Sequence, residues 1–368
     1  MWMKMKNLDL LKRLVEADAP PGFEEEVRSI MIEELKDYVD SIEIDMLGNL
    51  IMKKEGSDDD KKLMIDAHMD EIALMVRYID ENGFIYFDKH GWVDDRVLLS
   101  QWVKIHGEGV KVCGVIGVKA AHLTTQKEAQ HIIPATEMWI DVGVSSREEV
   151  LEKGINVGAP ITFDRGFYDL GNNHVCAKAI DDRVGCFALI EAMKEIAKDD
   201  LIFSVYAVGS VQEEIGARGA KTAAYGINPQ AALMLDTTHA TDATLTRRKG
   251  APTELGKGPA IRFMDRLKTG FTGIMTPKAM RDLLVSTAKE NSIPYQIDVS
   301  AFTWTNAATI HLARAGISTG SLLIPRRYGH SPSEVTNLND LQNTIRLLTA
   351  IVRKIDNNFF TALKRKIQ

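Results

Sequence analysis

The chain has 368 residues, 45 of them Lys or Arg and 51 Asp or Glu, a net charge of −6, with 45% hydrophobic and 26% charged residues. That is the make-up of a folded globular protein of about two or three domains, and it excludes disordered, collagen-like and disulfide-scaffold chains. A mildly acidic chain without a basic block is a poor binder of nucleic acid or anionic membrane, and no apolar run approaches the ~20 residues of a membrane span.

The charged start, Met1 to Leu10, leaves no apolar leader stretch, and the three cysteines (Cys113, Cys176, Cys186) are odd in number and form no CxxC. Both features point to a reducing compartment, the cytoplasm.

In chain order, Leu8, Leu11, Leu14 and Val15 recur at helical spacing until Ala19-Pro20-Pro21-Gly22 stops the helix. Val27, Ile30, Met31 and Leu35 mark a second helix. The period then changes, and Ser41–Asp45, Asn49–Lys53 and Lys62–His68 read as strands, with a hairpin turn at Gly48-Asn49. From Glu71 to Asp164 short strands alternate with glycine-rich turns, broken by a capping pattern at Ser146 and a polar loop over 120–134. Beyond Gly166, helices and strands alternate, and a long helix begins near Leu338. This pattern predicts an α/β fold with a mostly parallel central sheet covered by helices. The expected organisation is a discontinuous α/β domain, 1–71 with 165–368, and an inserted β-rich domain, 72–164.

A covered parallel sheet places ligands at the carboxyl ends of its strands. Five apolar runs here end in polar residues: His68-Met-Asp70-Glu71, Asp181-Asp182, Glu213-Glu214, Asp236 and His330. Singly, such a residue is more often a cap or a solvated loop residue than a ligand. Jointly they make a set of imidazoles and hard carboxylates without thiolate, which suits Zn²⁺ or Co²⁺.

The runs Ala67-His-Met-Asp-Glu71, Lys178-Ala-Ile-Asp-Asp-Arg-Val-Gly185, Val211-Gln-Glu-Glu-Ile-Gly-Ala-Arg-Gly219, Leu235-Asp-Thr-Thr-His-Ala240 and Arg327-Tyr-Gly-His-Ser-Pro332 resemble the five signatures of the M42 metallo-aminopeptidases. That family includes TET aminopeptidases, glutamyl aminopeptidases and proteins once labelled endoglucanases, and the similarity spans nearly the whole chain. The resemblance implies two divalent ions (zinc or cobalt) per subunit, peptide substrates, a PDZ-like insert for oligomerisation and a tetrahedral homododecamer. Carried over residue by residue, it implies that His68 and Asp236 hold one metal, Glu214 and His330 the other, and that Asp181 bridges both. Glu213 would then be the general base acting on a metal-bridging water, and Asp70 the residue that orients His68. It further implies a non-proline cis peptide between Asp181 and Asp182.

One stretch departs from the family. Where a Gly-Gly-Thr-Asp-Ala run is usual, this chain has Thr303-Trp304-Thr305-Asn306-Ala307, preceded by Phe302. Phe302, Trp304 and Asn306 are therefore candidate substrate-pocket residues, and the two aromatic rings predict a bias towards small N-terminal residues. Three rivals stay open: a glycosidase, an amide hydrolase of N-blocked amino acids or peptides, and a catalytically impaired homologue with an assembly role. Adjacent Glu213 and Glu214 argue against the first, because glycosidic cleavage needs two carboxyls facing each other across the bond.

Overall fold

The computed structural model of the chain describes residues 7–243, 252–267 and 272–363. Two N-terminal helices, Leu8–Glu16 and Glu25–Leu35, lie against a large sheet. The strand Lys62–His68 is buried along its whole length after Lys62. Leu63, Ile65 and Ala67 enter the core on one face, and Met64 enters a second core on the other. Burial on both faces is why this segment reads as a continuous apolar run and not as an alternation.

The sheet is mixed, which corrects the expectation of a mostly parallel one. Among the described residues it has 12 strands. Its centre is four parallel strands in the order Ser204–Ser210, Lys62–His68, Ala231–His239, Ser318–Arg327. On one side Leu50–Lys54 and Ser41–Ile44 continue it antiparallel, and on the other side so do Glu334–Asn337, His174–Ala177 and Tyr168–Gly171. The reason lies in the connections. Parallel neighbours need long crossovers, whereas Gly48 (φ +105°) and the left-handed pair Asn172-Asn173 return the chain at once. Ala260–Arg266 branches off the Ser318–Arg327 strand and carries Gly273–Met275 and Gln296–Val299.

The insert is a closed β-barrel of six strands, from Ala73–Ile79 to Pro160–Phe163, around its own core of Leu74, Val76, Phe87, Ile105, Ile161 and Phe163. Ser146 caps the short helix Arg147–Glu152 by accepting from the Glu149 amide, as the sequence suggests. The helix after Asn306 is a single turn, Ala307–Ile310, and the chain turns at Gly316 with φ +101°.

Buried ions tie these layers together. Arg183 is wholly buried and donates to the Leu14, Ala17 and Met69 carbonyls and to Glu71. It thereby satisfies carbonyls at the C-terminal end of the first helix that have no partner within the helix. Lys178 bonds Glu71 at 2.7 Å and the Ala17 carbonyl at 2.9 Å. Buried Asp18 reaches Lys178 in the same body, and Lys104, Lys111 and Thr162 in the barrel.

Candidate metal centre

The register of the four parallel strands brings the predicted residues to one end of the sheet. Ser210 pairs across from His68, and Asp236 lies on the next strand. The helix Ile180–Ile196 opens on Asp181-Asp182 with non-helical backbone and a cis peptide between them. Ala179, Gln212 and His330 all take left-handed backbone, at φ 53°, 56° and 57°. Each such non-glycine residue costs roughly 1 kcal/mol or more, and each stands at or within two residues of a candidate ligand.

The result is two triads sharing one residue: His68, Asp181 and Asp236, and Asp181, Glu214 and His330, the ligand atoms of each lying within 4.8 Å of one another. Asp181 Oδ1 lies 3.3 Å from His68 Nε2, and Asp181 Oδ2 lies 3.4 Å from His330 Nε2. His330 Nε2 is 3.6 Å from Glu214 Oε2. Glu214 is buried and belongs to a triad, whereas its neighbour Glu213 is half-buried and belongs to neither; both line the cleft.

Asp70 does more than its spacing from His68 suggests. Its carboxylate accepts from the backbone amides of Glu213 at 2.9 Å and Glu214 at 3.0 Å. His68 Nδ1 lies 3.1 Å from the Asp70 carbonyl and 3.5 Å from its carboxylate. One fully buried aspartate thus fixes both the imidazole and the turn carrying the glutamates.

The electrostatics are those of a site rich in anions. Burial and mutual repulsion raise the proton affinity of Asp182, Glu213, Glu214 and Asp236. Burial opposes the charged form of Asp181 too, but Arg326, His330 and His68 outweigh it and hold Asp181 well below the usual carboxylate range. Burial likewise opposes a charged His68, yet Asp181 and Asp70 raise its affinity for a proton. Glu214 Oε1 is buried without a hydrogen-bond partner. Such an oxygen is costly, and added positive charge relieves both that cost and the crowding of carboxylates. The donor set of two imidazoles and three carboxylates therefore fits a pair of hard-to-borderline divalent cations.

A cleft of about 610 Å³ opens over the triads. Phe302 and Trp304 line it, and Phe302 is 59% exposed. Asn306 does not. It is wholly buried, and its amide donates to Asp66 and Ser210, both at 2.9 Å. This corrects its placement in the substrate pocket: the chain turns into the helix Ala307–Ile310 there, and the side chain points behind the sheet end.

Three contributors escaped the sequence reading. Glu334 accepts from the amides of Asp181 at 2.9 Å and His330 at 2.7 Å, joining the two halves of one triad. Arg326 contacts Asp181 and lines the cleft. The barrel borders the cleft through Gly91, Trp92 and Asp94, and the Trp92 carbonyl lies 3.3 Å from His330 Nδ1. A Cβ on Gly91, where φ is +88°, would fall 3.1 Å from Glu214 Oε2. The only trace of the first two is spacing, since both lie four residues from His330.

Known proteins share this architecture. The profile of the family described as M42 glutamyl aminopeptidase matches residues 48–347. The lysyl aminopeptidase of Pyrococcus furiosus is 34% identical over 360 residues, 97% of this chain and 100% of that protein. The solved structure of an aminopeptidase from the archaeon Desulfurococcus kamchatkensis superposes with TM-score 0.92 at 39% identity, covering 98% of each chain. The TET1 peptidase of Pyrococcus horikoshii, which can assemble into a tetrahedron or a large octahedral shell, matches with TM-score 0.85 at 32% identity over 95% of this chain and 99% of that one. With matching motifs, fold and profile over most of its length, the chain belongs to the M42 family of aminopeptidases.

Proposed function

We propose that this aminopeptidase removes N-terminal residues from peptides with two divalent metal ions, zinc or cobalt, held by His68, Asp181, Glu214, Asp236 and His330. The observation that carries this reading is the pair of triads sharing Asp181 beneath a cleft that Glu213 lines. When bound, the two cations polarise the scissile carbonyl and stabilise the charge developing on its oxygen. Glu213 does the proton work. Burial and the adjacent Glu214 raise its basicity against the opposing pull of His68. A carboxylate so raised can take a proton from a water in the cleft and return it to the leaving amine. Asp70 holds the Glu213 and Glu214 amides, which keeps one side chain towards the triad and the other towards the substrate.

Trp304 and Phe302 narrow the cleft, and an aromatic side chain occupies roughly 150–250 Å² of surface. This supports a preference for glycine or alanine at the N-terminus. The barrel, 72–164, exposes Trp102, Leu123 and Ile132. Together with the assembly of the P. horikoshii relative, these side chains support subunit contacts made by the barrel in a homododecamer. The three cysteines are all unpaired, in keeping with a cytoplasmic protein. No helix among the described residues is long and apolar enough to cross a membrane.

The test is a matched pair of peptide panels, one with free and one with acetylated N-termini, assayed with zinc or cobalt. Hydrolysis of the free panel alone is expected. Preferential hydrolysis of the acetylated panel would make the protein an amide hydrolase of blocked substrates, and no hydrolysis of either would favour an assembly role.

A further inference from the structure

The two triads are alike in ligand chemistry but not in what stands beside them. Asp181 Oδ1 faces His68, and no fixed cation touches that oxygen among the described residues. Asp181 Oδ2, the oxygen facing His330, is also held by the guanidinium of Arg326. Arg326 is 3% exposed. Its Nε donates to Thr237 Oγ1 at 2.7 Å, and its Nη1 lies 3.5 Å from Glu334. A Cβ built on Gly329 would fall 1.0 Å from Arg326 Nη1, so the loop backbone there packs directly on the guanidinium. Nη1 is buried and makes no hydrogen bond, although the Glu334 carboxylate stands beside it as an ion-pair partner.

We propose that Arg326 is a resident cation that makes the two metal positions unequal, weakening divalent binding at Asp181–Glu214–His330 relative to His68–Asp181–Asp236. The argument is electrostatic. A guanidinium stays charged at any working pH and is confined here against the oxygen that the Glu214–His330 position requires. A divalent ion taking that oxygen meets like charge at short range in a poorly screened site, and it must also compete for the lone pairs. On the Oδ1 side the guanidinium's charge reaches Asp236 through space, whereas on the Oδ2 side it bonds the ligand oxygen itself. The second metal is thus the exchangeable one, and Arg326 acts on affinity through Asp181. In this role it is a positioning residue.

The inference rests on the two-metal reading above, and the test separates the two. The chelated full-length protein is titrated with Co²⁺ alone and followed by calorimetry and by visible absorption of the bound ion. The parent, Arg326→Gln and Arg326→Lys are compared after circular dichroism has shown them folded. The expected parent result is two binding steps whose constants differ by at least about tenfold. In Arg326→Gln the weaker step strengthens by at least about tenfold while the stronger is unchanged, and in Arg326→Lys, which keeps the charge, the gap returns. Glu334 retains the Asp181 and His330 amides as donors in both variants, so losing the guanidinium does not strand it. Equal constants in the parent, or a gap that survives in Arg326→Gln, would overturn the Arg326 inference and leave the two-metal reading standing. Binding of one ion or none by all three proteins would overturn that reading itself. If Arg326→Gln does not fold, the parent and Arg326→Lys decide: equal constants in the parent, or a gap lost in the lysine variant, refute the proposal.

Discussion

Asp18→Asn tests how the barrel is bolted to the body that carries the site. Asp18 is buried and faces three ammonium groups, Lys111 at 2.8 Å, Lys104 at 3.2 Å and Lys178 at 3.2 Å, with Thr162 Oγ1 at 3.1 Å. Asparagine keeps the volume and removes the charge. Breaking a buried ion pair by removing one partner costs roughly 3–5 kcal/mol. The low end applies here, because Lys111 keeps Glu26, Lys178 keeps Glu71 and Lys104 keeps Asp164. With an unfolding entropy of ~2.1 cal/mol/K per residue, a chain of this size loses about 4 °C in Tm for ~3 kcal/mol. The pH dependence has a definite sign. Burial raises the Asp18 carboxyl, but the three lysines outweigh it and hold it below its usual 3.8. A depressed folded-state pKa gives stability that is present above the unfolded value and lost as pH falls through the folded one. The gap between parent and variant in thermal melts should therefore be full from pH 5 to 8 and narrow progressively as pH falls below about 4 towards the depressed folded-state value. A gap under about 1 °C at pH 7, or one that widens in acid, would refute this account of the junction.

Other expectations follow from the same geometry. Trp304→Gly should widen the cleft and raise cleavage of leucyl and phenylalanyl substrates relative to alanyl ones in an aminoacyl-amide panel, and an unchanged ranking would remove Trp304 from specificity. Asn306→Asp would face Asp66, whose carboxyl burial already pushes up to about 6, with a second buried carboxyl. The pair must share a proton, so the variant should lose ~2–3 kcal/mol by denaturant unfolding at pH 8 and less at pH 5, where the proton is retained. Leu123→Asp combined with Ile132→Asp should shrink the assembly seen by light scattering without lowering metal content, and an unchanged particle would place the subunit contacts elsewhere.

What the sequence disclosed, and what it withheld, has a physical pattern. The strand Lys62–His68 was legible to the residue because burial on both faces makes a continuous apolar run that ends where the site begins. The residues of the two triads were legible as polar residues that follow apolar runs. Asn306 misled because its neighbours Trp304 and Thr305 do line the cleft, and a single turn into a helix sends the next side chain to the far side. The antiparallel flank beyond Arg327 was missed because Glu334–Asn337 and His174–Ala177 are four residues each, too short for a period to show. Arg326, Glu334 and Asp18 carry no local signature. A charged residue buried by distant partners looks, in sequence, like any charge on a surface.

The central claim is that Glu213 moves protons while its neighbour Glu214 is a ligand. The most direct test is to measure metal content and turnover together in Glu213→Gln and Glu214→Gln. The account predicts that Glu213→Gln keeps the parent's zinc or cobalt content and loses roughly 10²–10⁴-fold or more in kcat on a free-amine peptide. Glu214→Gln should instead lose metal along with activity. Parental turnover in Glu213→Gln, or metal loss from that variant equal to that from Glu214→Gln, would contradict it.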